Sequence, residues 1–204
     1  FYDRKEVKDV LATLRCALNP TSDVDTLRFL AAVPRGIGDG TTQKIEAVAR
    51  GGGSSILLAM ADATLLAKAK LAESMQKRCL DVADKVLQLG RRIARQTRDI
   101  PGQTNLFEAV PGKVGAKQAV ALAVDVSGVG DKLEAEKSIE SEGRLENLGE
   151  LLSAAEEWAE TARVEGEPDD VVGFLESASL LSSADTVKDE RGHVTLMTLH
   201  SAKG

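Results

Sequence analysis

Long apolar runs, cysteines and phosphate-binding loops are scarce or missing in this chain, and each shortage excludes something. No stretch approaches the roughly 18 consecutive apolar residues that a membrane-spanning helix needs. The opening FYDRKEVKD lacks the basic-then-apolar layout of a signal peptide. The expectation is a soluble, cytoplasmic protein with no membrane contact. Cys16 and Cys79 are the two cysteines, far apart, with no CxxC pair and no histidine cluster nearby. That pattern supports neither a disulfide framework nor a zinc site, and reduced core thiols are expected instead. The GxxxxGK[ST] phosphate-binding loop is absent, as is an acidic metal-binding box. These residues alone are therefore not expected to hydrolyse ATP, and no metal site or catalytic residue is assigned to them.

What is present is a chain of 204 residues with 43% hydrophobic content, enough for one domain or one and a half. The net charge of −6 is unevenly spread. Residues 68–98 hold nine Lys/Arg against three acids, whereas residues 131–190 hold five against eighteen. Distribution matters more than the sum for nucleic-acid binding. The basic part can face phosphates and the acidic part a basic partner, or both can be ordinary solvated faces.

The periodicity is helical almost throughout. Asp3 and Glu6 have capping-box spacing ahead of Val7, Val10, Leu11, Leu14 and Leu18, predicting a helix over 4–18. Its apolar face could serve a domain outside these residues. Asn19 and Pro20 break it, Ser22 or Asp23 can cap a second helix with Val24, Leu27, Leu30 and Ala31 as its stripe, and Pro34 stops it. A short helix through Ile45 and Val48 ends at Gly51, Gly52 and Gly53. One long helix is expected over 65–97, with Met75, Cys79, Val82, Val86, Leu89 and Ile93 as a narrow seam. Residues 99–115 read as a loop. Helices then follow at 116–126, 131–141 and 144–163, the last with Leu145, Leu148, Leu152, Ala155 and Ala159 on one face. Pro168 suits the first turn of another through Phe174, Leu175 and Leu181.

The strongest candidate site is Arg35-Gly36-Ile37-Gly38-Asp39. Two glycines around one apolar residue let backbone N–H groups point outward at a phosphate while Ile37 anchors the turn. The following helix adds its N-terminal partial charge, and Thr41 or Thr42 can donate a hydroxyl. Such contacts hold duplex backbone without reading sequence; a plain tight turn would use the same glycines. Fainter echoes lie at Val110-Pro111-Gly112-Lys113-Val114-Gly115 and at Ser127-Gly128-Val129-Gly130-Asp131. Lys77, Arg78, Lys85, Arg91, Arg92 and Arg95 form a diffuse basic surface, either attracting DNA or simply solvated.

At the far end VTLMTLHSAKG (194–204) reads as an apolar strand running into a small-residue loop. A lone strand cannot satisfy its own edge hydrogen bonds, so residues 194–199 are expected to pair with a sheet absent from this sequence. The chain reads as a piece of something larger.

That segment resembles motif V of superfamily 1 DNA helicases of the UvrD, PcrA and Rep type. FYDRKEVKDVLATLRCALNP at 1–20, VPRGIGDGTTQKI at 33–45 and EGRLENLGELL at 142–152 are similar to further stretches of the same family, in the same order. The resemblance implies an all-α insertion, domain 2B, at 18–190, between remnants of the RecA-like motor domain 2A at 1–17 and 191–204. The parent would be an ATP-dependent 3′-to-5′ DNA helicase of repair or replication, using ATP and magnesium bound elsewhere. Arg35, Gly36, Ile37, Gly38, Thr41 and Thr42 would contact duplex. Thr198, His200 and Ser201 would contact single-stranded DNA, with Lys203 and Gly204 near the nucleotide. Hinges are expected near 18–22 and 182–193. The missing motor domains are the implied partners. A free-standing helix-hairpin-helix DNA-binding module, and a protein-interaction domain docking a basic partner on its acidic half, are the alternatives.

Overall fold

The computed structural model describes residues 1–32, 35–97 and 114–185. Among them every regular element is an α-helix: α1 (Lys5–Leu18), α2 (Asp23–Ala32), α3 (Asp39–Gly51), α4 (Ile56–Met60), α5 (Ala63–Lys68), α6 (Glu73–Thr97), α7 (Ala116–Ser127), α8 (Val129–Glu136), α9 (Ile139–Glu165) and α10 (Val171–Asp185). The expected all-α architecture holds for these residues. None of them forms a strand, and the strand expected at 194–199 lies outside them. No described helix is long and apolar enough to cross a membrane.

Helix α1 runs through the middle of the array, touching α2, α6, α7 and α9. Val7, Val10 and Leu14 lose all solvent exposure, each contributing about 1.5–3 kcal/mol of burial. The face that the sequence left for an external domain is thus covered from within. Its polar residues are paired. Asp9 is buried and bonds Arg28 of α2 at 2.8 Å, and buried Glu6 accepts from Asn147 Nδ2 of α9 at 2.5 Å. The expected capping box does not form, because Glu6 is drawn to Asn147 while Asp3 pairs with Lys8; Arg4 is the N-cap, without a side-chain bond. α1 and α6 cross so closely at Gly90 that a Cβ there would sit 2.1 Å from the Ala17 carbonyl oxygen. Only glycine fits such an approach.

Four further sequence expectations need correcting. Val24, Leu27 and Ala31 of α2 are exposed, and the helix buries Thr26, Phe29, Leu30 and Ala32 instead. Thr26 can enter the core because its hydroxyl donates to the Ser22 carbonyl at 2.8 Å, so a polar residue holds the phase that Val24 would have taken. The single helix expected over 65–97 is two. Asp62 caps α5, Lys70 takes a left-handed φ of 51°, and α6 starts afresh at Glu73. Likewise the helices expected at 131–141 and 144–163 re-divide at Lys137, with φ 47°. Ser138 and Ser141 there form a reciprocal capping box, so α9 starts at Ile139. Pro168 precedes α10 rather than opening it; its carbonyl accepts from Asp170 N–H at 3.0 Å.

The α6 seam is read correctly: Cys79, Val82, Val86, Leu89 and Ile93 are buried, with Met75 half-buried. Burial raises the Cys79 thiol pKa and pushes that of Cys16 up to about 12. Both stay as protonated core thiols at neutral pH. The expected hinge at 18–22 is tied to α4: Ser55 Oγ donates to the Pro20 carbonyl at 2.7 Å and Ile56 N–H donates to Asp23 at 2.8 Å.

Candidate nucleic-acid interface

The glycine turn between α2 and α3 has an anchored interior and an open edge. Gly36 adopts φ 69°, the left-handed region that favours glycine. Ile37 is buried as the expected anchor. Gly38 is the N-cap of α3 in an extended conformation and has no side chain to cap with. Its carbonyl accepts the N–H groups of Thr41 and Thr42 at 2.9 and 3.0 Å, and the Thr42 hydroxyl at 3.3 Å. The first-turn N–H groups ahead of Thr41, on Asp39 and Gly40, have no side-chain cap and lie on exposed residues. An α-helix start concentrates partial positive charge there.

Arg35 does not share that outward aim. Its guanidinium lies 4.1 Å from the centroid of the Phe29 ring and donates to the Phe29 carbonyl at 2.8 Å and to the Ser127 carbonyl. Burial lowers its pKa to about 10, which leaves it charged at neutral pH. It ties the first glycine turn to the second one. Arg78 of α6 occupies the space beside Gly36 instead, where a Cβ would fall 1.8 Å from its Nη1, which also donates to the Arg35 carbonyl at 3.4 Å. A Cβ on Gly38, by contrast, meets nothing within 4 Å.

The second turn therefore adjoins the first, a proximity that sequence reading missed. Gly128, with φ 66°, ends α7 and starts α8. Buried Ser127 satisfies the turn internally: its hydroxyl donates to the Val124 carbonyl at 2.7 Å and accepts from Val129 N–H at 3.1 Å. Lys132 reaches back to the Ala32 carbonyl at 3.2 Å. In the third glycine-rich stretch, residues 110–113 lie outside the described residues, and Gly115 opens α7. The Asp169 carboxylate accepts Ala116 N–H there at 2.8 Å. An anion of the protein's own already fills that helix start.

Beside the two turns, a cleft of about 740 Å³ is lined by Arg35, Arg78, Lys85 and Lys132, with Asp81, Asp125 and Asp131 among them. It meets a second hollow of about 630 Å³ along α6 and α7, where Lys85, Gln88, Arg91 and Arg92 supply the polar lining. Lys85 pairs with Asp81 at 3.0 Å and Arg91 with Asp84 at 3.1 Å, both more than half exposed. Such pairs contribute about 0.2–1 kcal/mol and yield readily to a stronger anion. Lys77 is exposed, while the side chain of Arg95 lies outside the described residues. No group of three or more potential metal ligands occurs among the described residues. Thr198, His200, Ser201, Lys203 and Gly204 also lie outside them.

The geometry is that of an uncapped helix start beside a basic groove, suited to holding an anion by backbone and point charge without reading its identity. A family model described as the UvrD-like helicase C-terminal domain matches residues 1–204. The ATP-dependent DNA helicase PcrA of Staphylococcus epidermidis is 31% identical over 204 residues, covering all of this chain and 25% of that protein. PcrA of Staphylococcus aureus is 29% identical over 210 residues, again covering all of this chain and 25% of its own length. The chain spans about a quarter of the relatives it matches.

Proposed function

The chain belongs to the UvrD-like helicase C-terminal domain family, and from that premise we propose that it is the duplex-contacting, regulatory part of a cytoplasmic bacterial 3′-to-5′ DNA helicase. In this reading residues 18–190 are domain 2B, between pieces of motor domain 2A at 1–17 and 191–204. The parent hydrolyses ATP with magnesium to unwind DNA during repair or replication. The 204 residues contain no GxxxxGK[ST] loop, so nucleotide and metal belong to other parts of that parent. Motif V supplies Thr198, His200 and Ser201 to the single strand and brings Lys203 and Gly204 near the nucleotide.

The uncapped start of α3 at Gly38 carries the duplex assignment. A phosphate seated there accepts from the free first-turn N–H groups and meets the positive end of the helix, with Thr41 and Thr42 at its edge. Gly36 and Ile37 shape the turn, and Arg35 braces it from behind. An exposed helix start contributes about 0.3–1 kcal/mol to a nearby anion. Added to other backbone contacts, such a term belongs to non-specific DNA binding, whose Kd is about 10⁻⁴–10⁻⁶ M. A contact of that strength tunes a motor's hold on the duplex ahead of it and lets go as the motor advances.

The test is Gly38→Asp in this chain, titrated with a labelled duplex at several salt concentrations. The backbone accepts any residue at Gly38 (φ −85°, ψ 172°) and no atom lies within 4 Å of its Cβ position. Aspartate is moreover a better N-cap than glycine, by a few tenths of a kcal/mol. Folding stability is expected to hold or rise slightly while duplex binding falls severalfold, up to about tenfold or about 1.4 kcal/mol, from the lost helix-start contact and the added carboxylate charge. Unchanged binding would mean that the glycine turn is only structural. No duplex affinity in the unaltered chain, with capture of a basic protein instead, would favour the protein-docking alternative.

A further inference from the structure

We propose that the α6–α7 groove is a second phosphate-backbone site, continuing the one at the glycine turn, and that both are taken by one DNA duplex. The inference rests on the duplex-contact reading of α3 and extends it to residues that reading does not use.

Cations on α6 stand in a row set by its core. Cys79, Val86 and Ile93 are buried and separated by seven residues each. Arg78, Lys85 and Arg92 each stand one position ahead of them, so they share one edge of the helix and all are exposed. Seven residues of α-helix rise about 10.5 Å, so the three cations form a spaced row along one edge of the helix. Because the buried residues fix the rotation of α6, the row is held by the core.

The row begins at the glycine turn. Arg78 Nη1 lies against Gly36 and donates to the Arg35 carbonyl, and from there Lys85 and Arg92 line the groove. Carboxylates are confined to the near end, where Asp81, Asp125 and Asp131 line the first cleft. Among the described residues the far end has none in its lining, which comprises Lys85, Gln88, Leu89, Arg91, Arg92, Leu122 and Val126. Asp84 is engaged by Arg91 and by Gln88, leaving Arg92 without a carboxylate among the described residues. Single-strand sites add aromatic platforms on which bases stack. Here the described lining of the far hollow includes no aromatic residue, and the Phe29 face in the near cleft is covered by Arg35. Phosphate contact without base stacking suits a duplex.

The test compares the 204-residue chain with Lys85→Gln/Arg92→Gln and with the triple variant that adds Arg78→Gln. Labelled duplex and single strand of the same sequence are titrated across salt concentrations, and thermal melts check folding. The double variant is needed because Arg78 also packs at Gly36. It is expected to weaken duplex binding severalfold and to make the log K against log salt slope shallower by about 2, at about 0.9 per phosphate lost; the triple variant lowers it further. A control, Lys5→Gln/Lys8→Gln/Lys137→Gln, removes equal charge elsewhere and leaves the slope unchanged. If Gly38→Asp weakens duplex binding while the double variant keeps its slope, the groove is no phosphate site and the turn assignment stands alone. A slope reduced equally by the control would also overturn the inference, as would stronger binding of single strand than of duplex. If neither Gly38→Asp nor the double variant alters binding, both assignments fail.

Discussion

Helices α3 and α7 start alike, after a glycine in extended conformation, Gly38 at φ −85°, ψ 172° and Gly115 at φ −67°, ψ 167°, and neither glycine has a side chain to cap with. At α7 the Asp169 carboxylate arrives from the turn before α10 and bonds Ala116 N–H. At α3 nothing comparable arrives among the described residues, and the side chain that does approach, Arg78, is a cation that stops beside Gly36. A glycine-led helix start is left open to an outside anion only where the rest of the fold supplies none of its own, and the proposed duplex contact rests on that difference. The start of α8 makes the same point, since Ser127 already bonds Val129 N–H.

Opening the closed start should have the largest effect on folding. Asp169→Ala removes the cap on α7 and leaves Ala116 N–H unpaired, costing about 1–2 kcal/mol in a urea or thermal melt. A loss within error would show that the carboxylate is incidental. The two glycines of the open turn should respond oppositely to one substitution. Gly36→Ser forces a side chain into the left-handed region at a cost of about 1–2 kcal/mol. Gly38→Ser adds an N-cap and gains a few tenths of a kcal/mol, yet weakens duplex binding by occupying the N–H groups. Equal melting shifts for the two variants would break the distinction. The smallest effect is expected at Asp39, an exposed acid in the first turn of α3. Asp39→Asn removes repulsion of a phosphate and should raise duplex affinity about twofold, or about 0.4 kcal/mol, measured by anisotropy at low salt. Weaker binding would place the DNA elsewhere.

What could be read from sequence followed from local physics. The α1 and α6 seams were legible because buried residues recur at helical spacing, and the turn at 36–40 because glycines punctuate two periodic segments. Ile37 was recognisable as an anchor for the same reason. The failures came where a distant partner decides. The phase of α2 depends on the Thr26 hydroxyl finding the Ser22 carbonyl, and the capping box at Asp3 and Glu6 lost Glu6 to Asn147 on α9. Arg35 reads as an outward cation until Phe29 and the Ser127 carbonyl are brought beside it. Closure of α7 by Asp169, 53 residues on from Ala116, left no sign at Gly115.

Backbone amide NMR of the isotope-labelled chain, titrated with duplex, tests the central claim most directly, because it observes each helix start in the same experiment. The largest shifts are expected at Asp39 and Gly40, with Thr41 and Thr42 following, while Ala116 and Val129 stay still because their N–H groups are already bonded. Shifts concentrated at Ala116 or along α9, with Asp39 and Gly40 unmoved, would contradict the account.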